Sequence, residues 1–459
     1  MIARTLKLAG LAGLALLAVS CSSNGGSAED REFADAVAVL APEEVIEPDP
    51  ELAGQGIVVP PPLANETWPQ VAGAPDHTLI HVAAPAELVR AWRARVISPK
   101  AKKAPITSTP VVGTELLYNI DAVANVMAVD RDTGKKVWET TLTPDVRDRA
   151  ARRLNIFARV KPADLGFGGG AALAEDRLFV TSGFGFIAAL DARSGELLWQ
   201  VETGSPMRNP PTVAGGLVIA VSISNEVFAL DQATGEERWG YESFEESARF
   251  LAAAAPAVDG RSVVVPFSSG EVTSLDLING RVNWQQTISR TSKLNALSVL
   301  GDIAASPIID RGAVFSVSQS GQMAGIDLRT GAVAWERPVG GYHTPWLAGE
   351  TIYIVSNAGQ FVAVNRIDGR IRFVVDLPAF KNERRKKKRI SWAGPVLGGG
   401  RLWLAGSNGE LIGLSPQNGE IEARYRLKDG ANLPPVIAGG TIYVITEKGF
   451  VEAFGEAAQ

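Results

Sequence analysis

Cysteine is almost missing: Cys21 is the only one in 459 residues. An intramolecular disulfide is therefore excluded, and so are paired-cysteine redox and metal motifs. Histidine is nearly as scarce. His77, His81 and His343 stand in no HExxH context, and three scattered imidazoles do not compose a metal shell, so each is expected to be structural. Neither a P-loop nor a GxSxG elbow is present. The glycine-rich stretch 166–170 leads into a strand and not a helix, so no helix dipole would cradle phosphate there; close backbone packing is its expected role. Positive charge is not in excess either. With 45 Lys and Arg against 50 Asp and Glu, the net charge of -5 gives no reason to expect nucleic acid. The apolar run from Leu8 to Val19 is too short to span a bilayer comfortably.

What is abundant is one repeated phrase. It first reads AVDRDTGKKVW, ending at Trp138, and returns as ALDARSGELLW (Trp199), ALDQATGEERW (Trp239), SLDLINGRVNW (Trp284) and GIDLRTGAVAW (Trp335). Two worn copies close on Phe373 and on Ala423. In each full copy a small residue, an aliphatic and an Asp end one strand. The Asp side chain and a following Gly, which accepts positive φ, make a tight turn. An aromatic on the next strand completes a β-hairpin. Ahead of each hairpin lies a stretch of the form small-Pro-Val-x-x-Gly-x-aliphatic-aliphatic, two more strands around a Gly turn. Four short antiparallel strands every ~40–50 residues predict a β-propeller.

First-strand stretches lie near Pro110, Gly170, Pro211, Pro256, Pro307, Pro345, Pro395 and Pro435, which makes eight blades. The eighth stops after three strands, and its missing strand is found at residues 88–96, which carry Trp92 without a preceding hairpin. The predicted fold is all-β: an eight-bladed propeller of four-stranded antiparallel blades, closed by an N-terminal strand in the last blade. Closure removes an aggregation-prone edge. Trp92, Trp138, Trp199, Trp239, Trp284, Trp335 and Phe373 are expected to wedge between neighbouring blades, and the repeated Asp130, Asp191, Asp231, Asp276 and Asp327 to serve their turns.

The chain divides into a signal peptide (1–20), a flexible acidic tether (21–62), a segment packed on the propeller (63–87, with Trp68 as a packing anchor) and the propeller itself (88–455). Arg4 and Lys7, the short apolar run and the small residues before Cys21 form a processing signal. Connections lengthen at 144–165, 244–255 and 289–305, and long loops between rigid blades are where binding contacts gather. The run 381–389, KNERRKKKR, reads either as a solvated loop or as a contact for anionic headgroups or an acidic partner. No catalytic, cofactor or metal site is expected.

The phrase Ala-Leu-Asp-x-x-Thr-Gly-x-x-x-Trp resembles the repeat of pyrroloquinoline-quinone dehydrogenase propellers and of the BamB family, the propeller lipoproteins of the outer-membrane β-barrel assembly machinery. Quinone enzymes of this kind usually hold cofactor between a vicinal disulfide and a Trp, beside calcium; without a cysteine pair that site cannot be built in its usual form. The N-terminus resembles a lipoprotein signal, with Ala18 where leucine is usual. The resemblance implies lipidation at Cys21, and Ser22 after it implies passage to the outer membrane, periplasmic face; an ordinary cleaved signal is the alternative. Gln285–Arg290 and Leu300–Pro307 are similar to the family's loop sequences that contact BamA. By that likeness Asp302 matches one contact residue, while Ala304 replaces a second Asp. Arg249, with Phe250 and Leu251, is the candidate on the preceding connection, or else Arg249 and Asp302 brace two blades. The resemblance implies a non-enzymatic scaffold, with BamA, other assembly subunits and unfolded outer-membrane proteins as partners. A quinone-dependent dehydrogenase and a propeller sensing a ligand in its central channel are the competing expectations.

Overall fold

The computed structural model describes residues 46–456, leaving out 53, 102–103, 145–167, 208, 244–253 and 289–302. Eight four-stranded antiparallel sheets follow one another along the chain. Blades 1 to 7 span 111–141, 169–202, 212–242, 257–287, 308–337, 346–376 and 392–426. Blade 8 takes its three inner strands from 436–455 and its outer strand from Val89–Arg95, which pairs antiparallel with the last strand, Phe450–Gly455. The eight-bladed, N-terminally closed propeller is thus the observed architecture. Second and third strands are buried on both faces, whereas outer strands alternate, as a ring of stacked sheets requires.

The repeated phrase makes its turn by side-chain bonding. Asp130 Oδ1 accepts from the Thr133 amide at 2.8 Å and hydroxyl at 2.6 Å, and Asp191 and Asp327 bond Ser194 and Thr330 in the same way. These bonds hold the carboxyls of Asp130, Asp191 and Asp327 below the usual carboxylate range, so they serve as acceptors and not as acids. The small residue that opens each phrase lies directly across the ladder from the aromatic: Ala128 faces Trp138, Ala189 faces Trp199, Ala229 faces Trp239, Ser274 faces Trp284 and Gly325 faces Trp335. A Cβ at Gly325 would come within 2.5 Å of the Trp335 ring, so the room is made by the partner strand.

Each Trp then crosses to the next blade. Its indole N–H donates to the carbonyl of the residue after that blade's turn Asp or Asn: Trp92 to Arg131, Trp138 to Ala192, Trp199 to Gln232, Trp239 to Leu277, Trp284 to Leu328 and Trp335 to Arg366, at 2.7–3.3 Å. Phe373 has no N–H. At that seam the Tyr353 hydroxyl donates to the corresponding carbonyl, of Pro416, at 3.0 Å. Ala423 holds the aromatic slot of blade 7, whose neighbour has no turn to receive a ring because its last strand comes from the other end of the chain. There the Tyr425 hydroxyl accepts from the Leu88 amide at 3.1 Å, and the Tyr425 ring lies 6.3 Å from that of Phe454.

The closing strand is held by charge as well as by its ladder. Glu452 is fully buried and paired with Arg90 at 2.7 Å and Arg93 at 3.5 Å; Arg93 also bonds Asp429 at 2.8 Å. The Arg93 and Arg95 guanidinium groups lie over the Phe450 ring.

Two stretches differ from their sequence reading. The run 381–389 is exposed throughout, as a solvated segment is, but it folds as a short hairpin and not a loop, Phe380–Asn382 against Lys387–Arg389, turned by Glu383–Arg385. Asn382 accepts from the Arg385 amide at 3.0 Å, and Lys386 takes the left-handed conformation that closes the turn. Local side-chain bonding overcomes the mutual repulsion of solvated cations. The expected tether, 21–62, is held against blades 6 and 7 where it is described, from residue 46 on. Gln417 brackets the Ile57 backbone at 2.9 and 2.7 Å, Arg370 bonds Glu51 at 3.0 Å, and Leu52 and Ile57 are buried.

Candidate functional site

The inner edge of every blade faces the axis with backbone groups that no fifth strand pairs, an arrangement that is costly unless covered. Residues 65–82 supply the partners, visiting all eight blades once and in order. The Asn65 carbonyl accepts from Gly439 of blade 8 at 2.7 Å. Trp68 exchanges two backbone bonds with Val112 of blade 1, at 2.7 and 2.9 Å. The Pro69 carbonyl takes the Leu173 amide of blade 2 at 2.7 Å, and the Gln70 side chain takes the Val213 amide of blade 3 at 3.0 Å. The carbonyls of Pro75 and Asp76 accept from Val258 and Ile309 of blades 4 and 5 at 2.7 and 2.9 Å. Ile80 accepts from the Trp346 indole of blade 6 at 2.7 Å, and Val82 bonds Leu397 and Gly399 of blade 7 at 3.2 and 3.0 Å. Prolines fit two of these posts because only their carbonyls are asked for.

The histidines serve the same circuit. His77 is buried with Nδ1 donating to the Pro307 carbonyl at 2.6 Å, and burial lowers its pKa to about 4. The Gly400 amide donates to Nε2 of His81 at 2.9 Å, which leaves Nδ1 to donate to Pro60 at 2.6 Å.

The circuit floors an axial cavity of about 460 Å³. Trp68, Val71 and Ala72 form its base, and its wall is made by residues at the start of the inner strands of blades 1, 3, 5, 6, 7 and 8, with Gln319 from the turn between the second and third strands of blade 5. The base is braced by the Trp68 ring stacked on Trp346, centroids 6.0 Å apart. No Asp, Glu, Lys, Arg or Cys among the described residues lines the cavity. Among the described residues no three His, Cys, Asp or Glu side chains converge on a point. The calcium and quinone that the resemblance to dehydrogenases would bring therefore do not fit the described lining: it holds no carboxylate, and the chain has no cysteine pair.

Strand direction fixes which face the cavity opens on. Chains leave an outer strand and enter the next inner strand on the side of the cavity mouth, while the Asp turns lie on the opposite side. All the lengthened connections, after blades 1, 3, 4 and 6, are of this outer-to-inner kind, and the basic hairpin is one of them. Arg249, Phe250, Leu251 and Asp302 lie outside the described residues, as does Cys21. The described ends of their two connections are joined: the Ala255 amide donates to the Ser306 hydroxyl at 2.9 Å. The closure and joint residues Trp92, Trp138, Trp199, Trp239, Trp284, Trp335 and Phe373 sit at seven seams, away from the cavity lining. Sequence reasoning missed Gln70, Pro75 and Asp76 as axial partners and Gln319 and His343 as cavity residues, because none of them belongs to the repeat. The prolines before the inner strands were the one available signal, since they recur where the wall is built.

Fold and axis together define a large-ring β-propeller of the pyrroloquinoline-quinone repeat class. The family model described as "Outer membrane protein assembly factor BamB" matches residues 122–374, more than half of the chain, and the chain belongs to that family. The Outer membrane protein assembly factor BamB of Moranella endobia is 24% identical over 344 residues, 75% of this chain and 84% of the relative. The crystal structure of BamB from Moraxella catarrhalis superposes with a TM-score of 0.65 at 20% identity, covering 81% of this chain and all of that one. Quinohemoprotein alcohol dehydrogenase from Comamonas testosteroni shares the fold, with a TM-score of 0.63 at 15% identity over 86% of this chain and 81% of its own.

Proposed function

We propose that this chain is a non-enzymatic scaffold of the outer-membrane protein assembly (BAM) complex, held by lipid on Cys21 at the periplasmic face of the outer membrane. It binds the periplasmic domains of BamA, and with them other assembly subunits and incoming unfolded barrel proteins. Arg249, Phe250, Leu251 and Asp302 form the contact, a charged pair beside apolar groups, which is a hot-spot composition. The observation that carries this reading is the bond between Ala255 and Ser306, which ties together the roots of the two connections bearing those residues. Roots that lie side by side on neighbouring blades would let both connections reach one partner. The missing donor set at the axis counts against a quinone-dependent dehydrogenase.

Arg249→Glu and Asp302→Lys, alone and together, are expected to weaken co-purification with BamA from detergent-solubilised membranes while leaving the thermal melt unchanged. Undiminished recovery of BamA with the double variant removes this surface from consideration. Dye-linked alcohol or sugar oxidation after addition of quinone and calcium would favour the dehydrogenase instead.

A further inference from the structure

The axial cavity has the volume of a ligand site, within the range of about 300–1,000 Å³ typical of such pockets. Its floor is built by chain pinned to every blade, so it is a closed-ended cup and not a passage through the ring. Gln319 lines this cup at 8% exposure, and Nε2 of its side chain has no hydrogen-bond partner. The residue is nonetheless held in place, because the Asn357 side chain donates to its backbone carbonyl at 2.7 Å. His343, on the neighbouring blade, also lines the cup. A buried amide that finds no partner inside the protein is an exception to normal packing. Here it belongs to the wall of a cup whose other described lining side chains are apolar groups, hydroxyls such as Ser108 and Thr344, and the His343 imidazole.

We infer that the axial cup is a binding site for an uncharged ligand with an apolar, ring-sized body and an amide or carbonyl head, the head bonding the side-chain amide of Gln319. The body lies over the floor formed by Trp68 and Val71, and the head points toward the wall of blades 5 and 6. A charged ligand is selected against, because none of the described residues lining the cup carries a charge to offset its desolvation. An amide head suits Gln319 best, since each carboxamide offers the other one donor and one acceptor. The inference does not rest on the BamA contact proposed above, although Ala304 and Ser306, at the root of one of those connections, also line the cup.

The test uses the full chain and three fluorinated compounds of similar size, 4-fluorobenzamide, 4-fluorotoluene and 4-fluorobenzoate, titrated by ligand-observed fluorine NMR. Saturable one-to-one binding of the benzamide is expected, with the toluene about tenfold weaker and the benzoate weaker still. Gln319→Leu should weaken the benzamide about tenfold and leave the toluene unchanged, and Val71→Trp, which fills the cup from its floor, should abolish both. The wild-type ranking of the three compounds decides the matter even if a variant fails to fold. Absence of saturable binding, binding untouched in folded Val71→Trp, or a preference for the benzoate overturns the site. Equal binding of benzamide and toluene overturns the assigned head.

Discussion

The indole nitrogen of Trp138 donates to the carbonyl oxygen of Ala192 at 3.0 Å, across the seam between blades 1 and 2. The same ring lies where a Cβ on Gly195 would approach to 2.5 Å, and Gly195 has φ +75°. The glycine of one copy of the phrase thus does two things: it turns its own hairpin and leaves a seat for the tryptophan of the copy before. Turn and wedge are two halves of one joint.

Trp138→Phe should therefore cost about 1–3 kcal/mol by leaving the Ala192 carbonyl unpaired. Gly195→Ala should cost about 2 kcal/mol or more, combining left-handed strain with the clash. Denaturant melts of the single and double variants, with Trp138→Ala as the second background, should show coupling of more than about 0.5 kcal/mol. Strict additivity would mean that the ring does not occupy the glycine's seat.

The seam between blades 6 and 7 tests the same logic in reverse. Tyr353→Phe removes the donor to the Pro416 carbonyl and should cost about 1–3 kcal/mol in chemical denaturation. Phe373→Trp in that background brings an indole N–H to the position it holds at the other seams, and part of the loss should return.

Arg90→Met leaves the fully buried Glu452 with only the longer Arg93 pair and the Lys428 amide. A destabilisation of about 3 kcal/mol is expected, since the carboxylate is stranded away from water. As this pair joins the two ends of the chain, size-exclusion chromatography of the variant should also show association through the loosened blade edge.

His77 gives a pH dependence of defined sign. Its pKa falls from 6.5 to about 4 on folding, so between those values the unfolded chain binds the extra proton. Stability should be full above pH 6.5 and decline as pH falls toward 4, by about 3 kcal/mol from this group. His77→Asn should flatten the urea midpoint across that window. An unchanged slope would show that the imidazole is not buried against Pro307.

The amino-acid sequence by itself determined the number of blades, the turn chemistry, the aromatic seams and the closing strand. These are set by short-range chemistry: an Asp, a Thr or Ser and a Gly within four residues make the same turn wherever they occur, and periodic copying makes the pattern countable. Ala423 was legible as a worn copy, yet its reason was not, because it depends on a strand some 330 residues away being the one that fills blade 8. Only the tertiary structure decided that residues 65–82 circle the axis and floor a cup, that the basic run 381–389 folds into a hairpin, and that Gln319 lines a cavity with its side-chain Nε2 unpaired. Those features arise from single pairings between distant residues, satisfied once and never repeated, and a partner met once in space leaves no period in the chain.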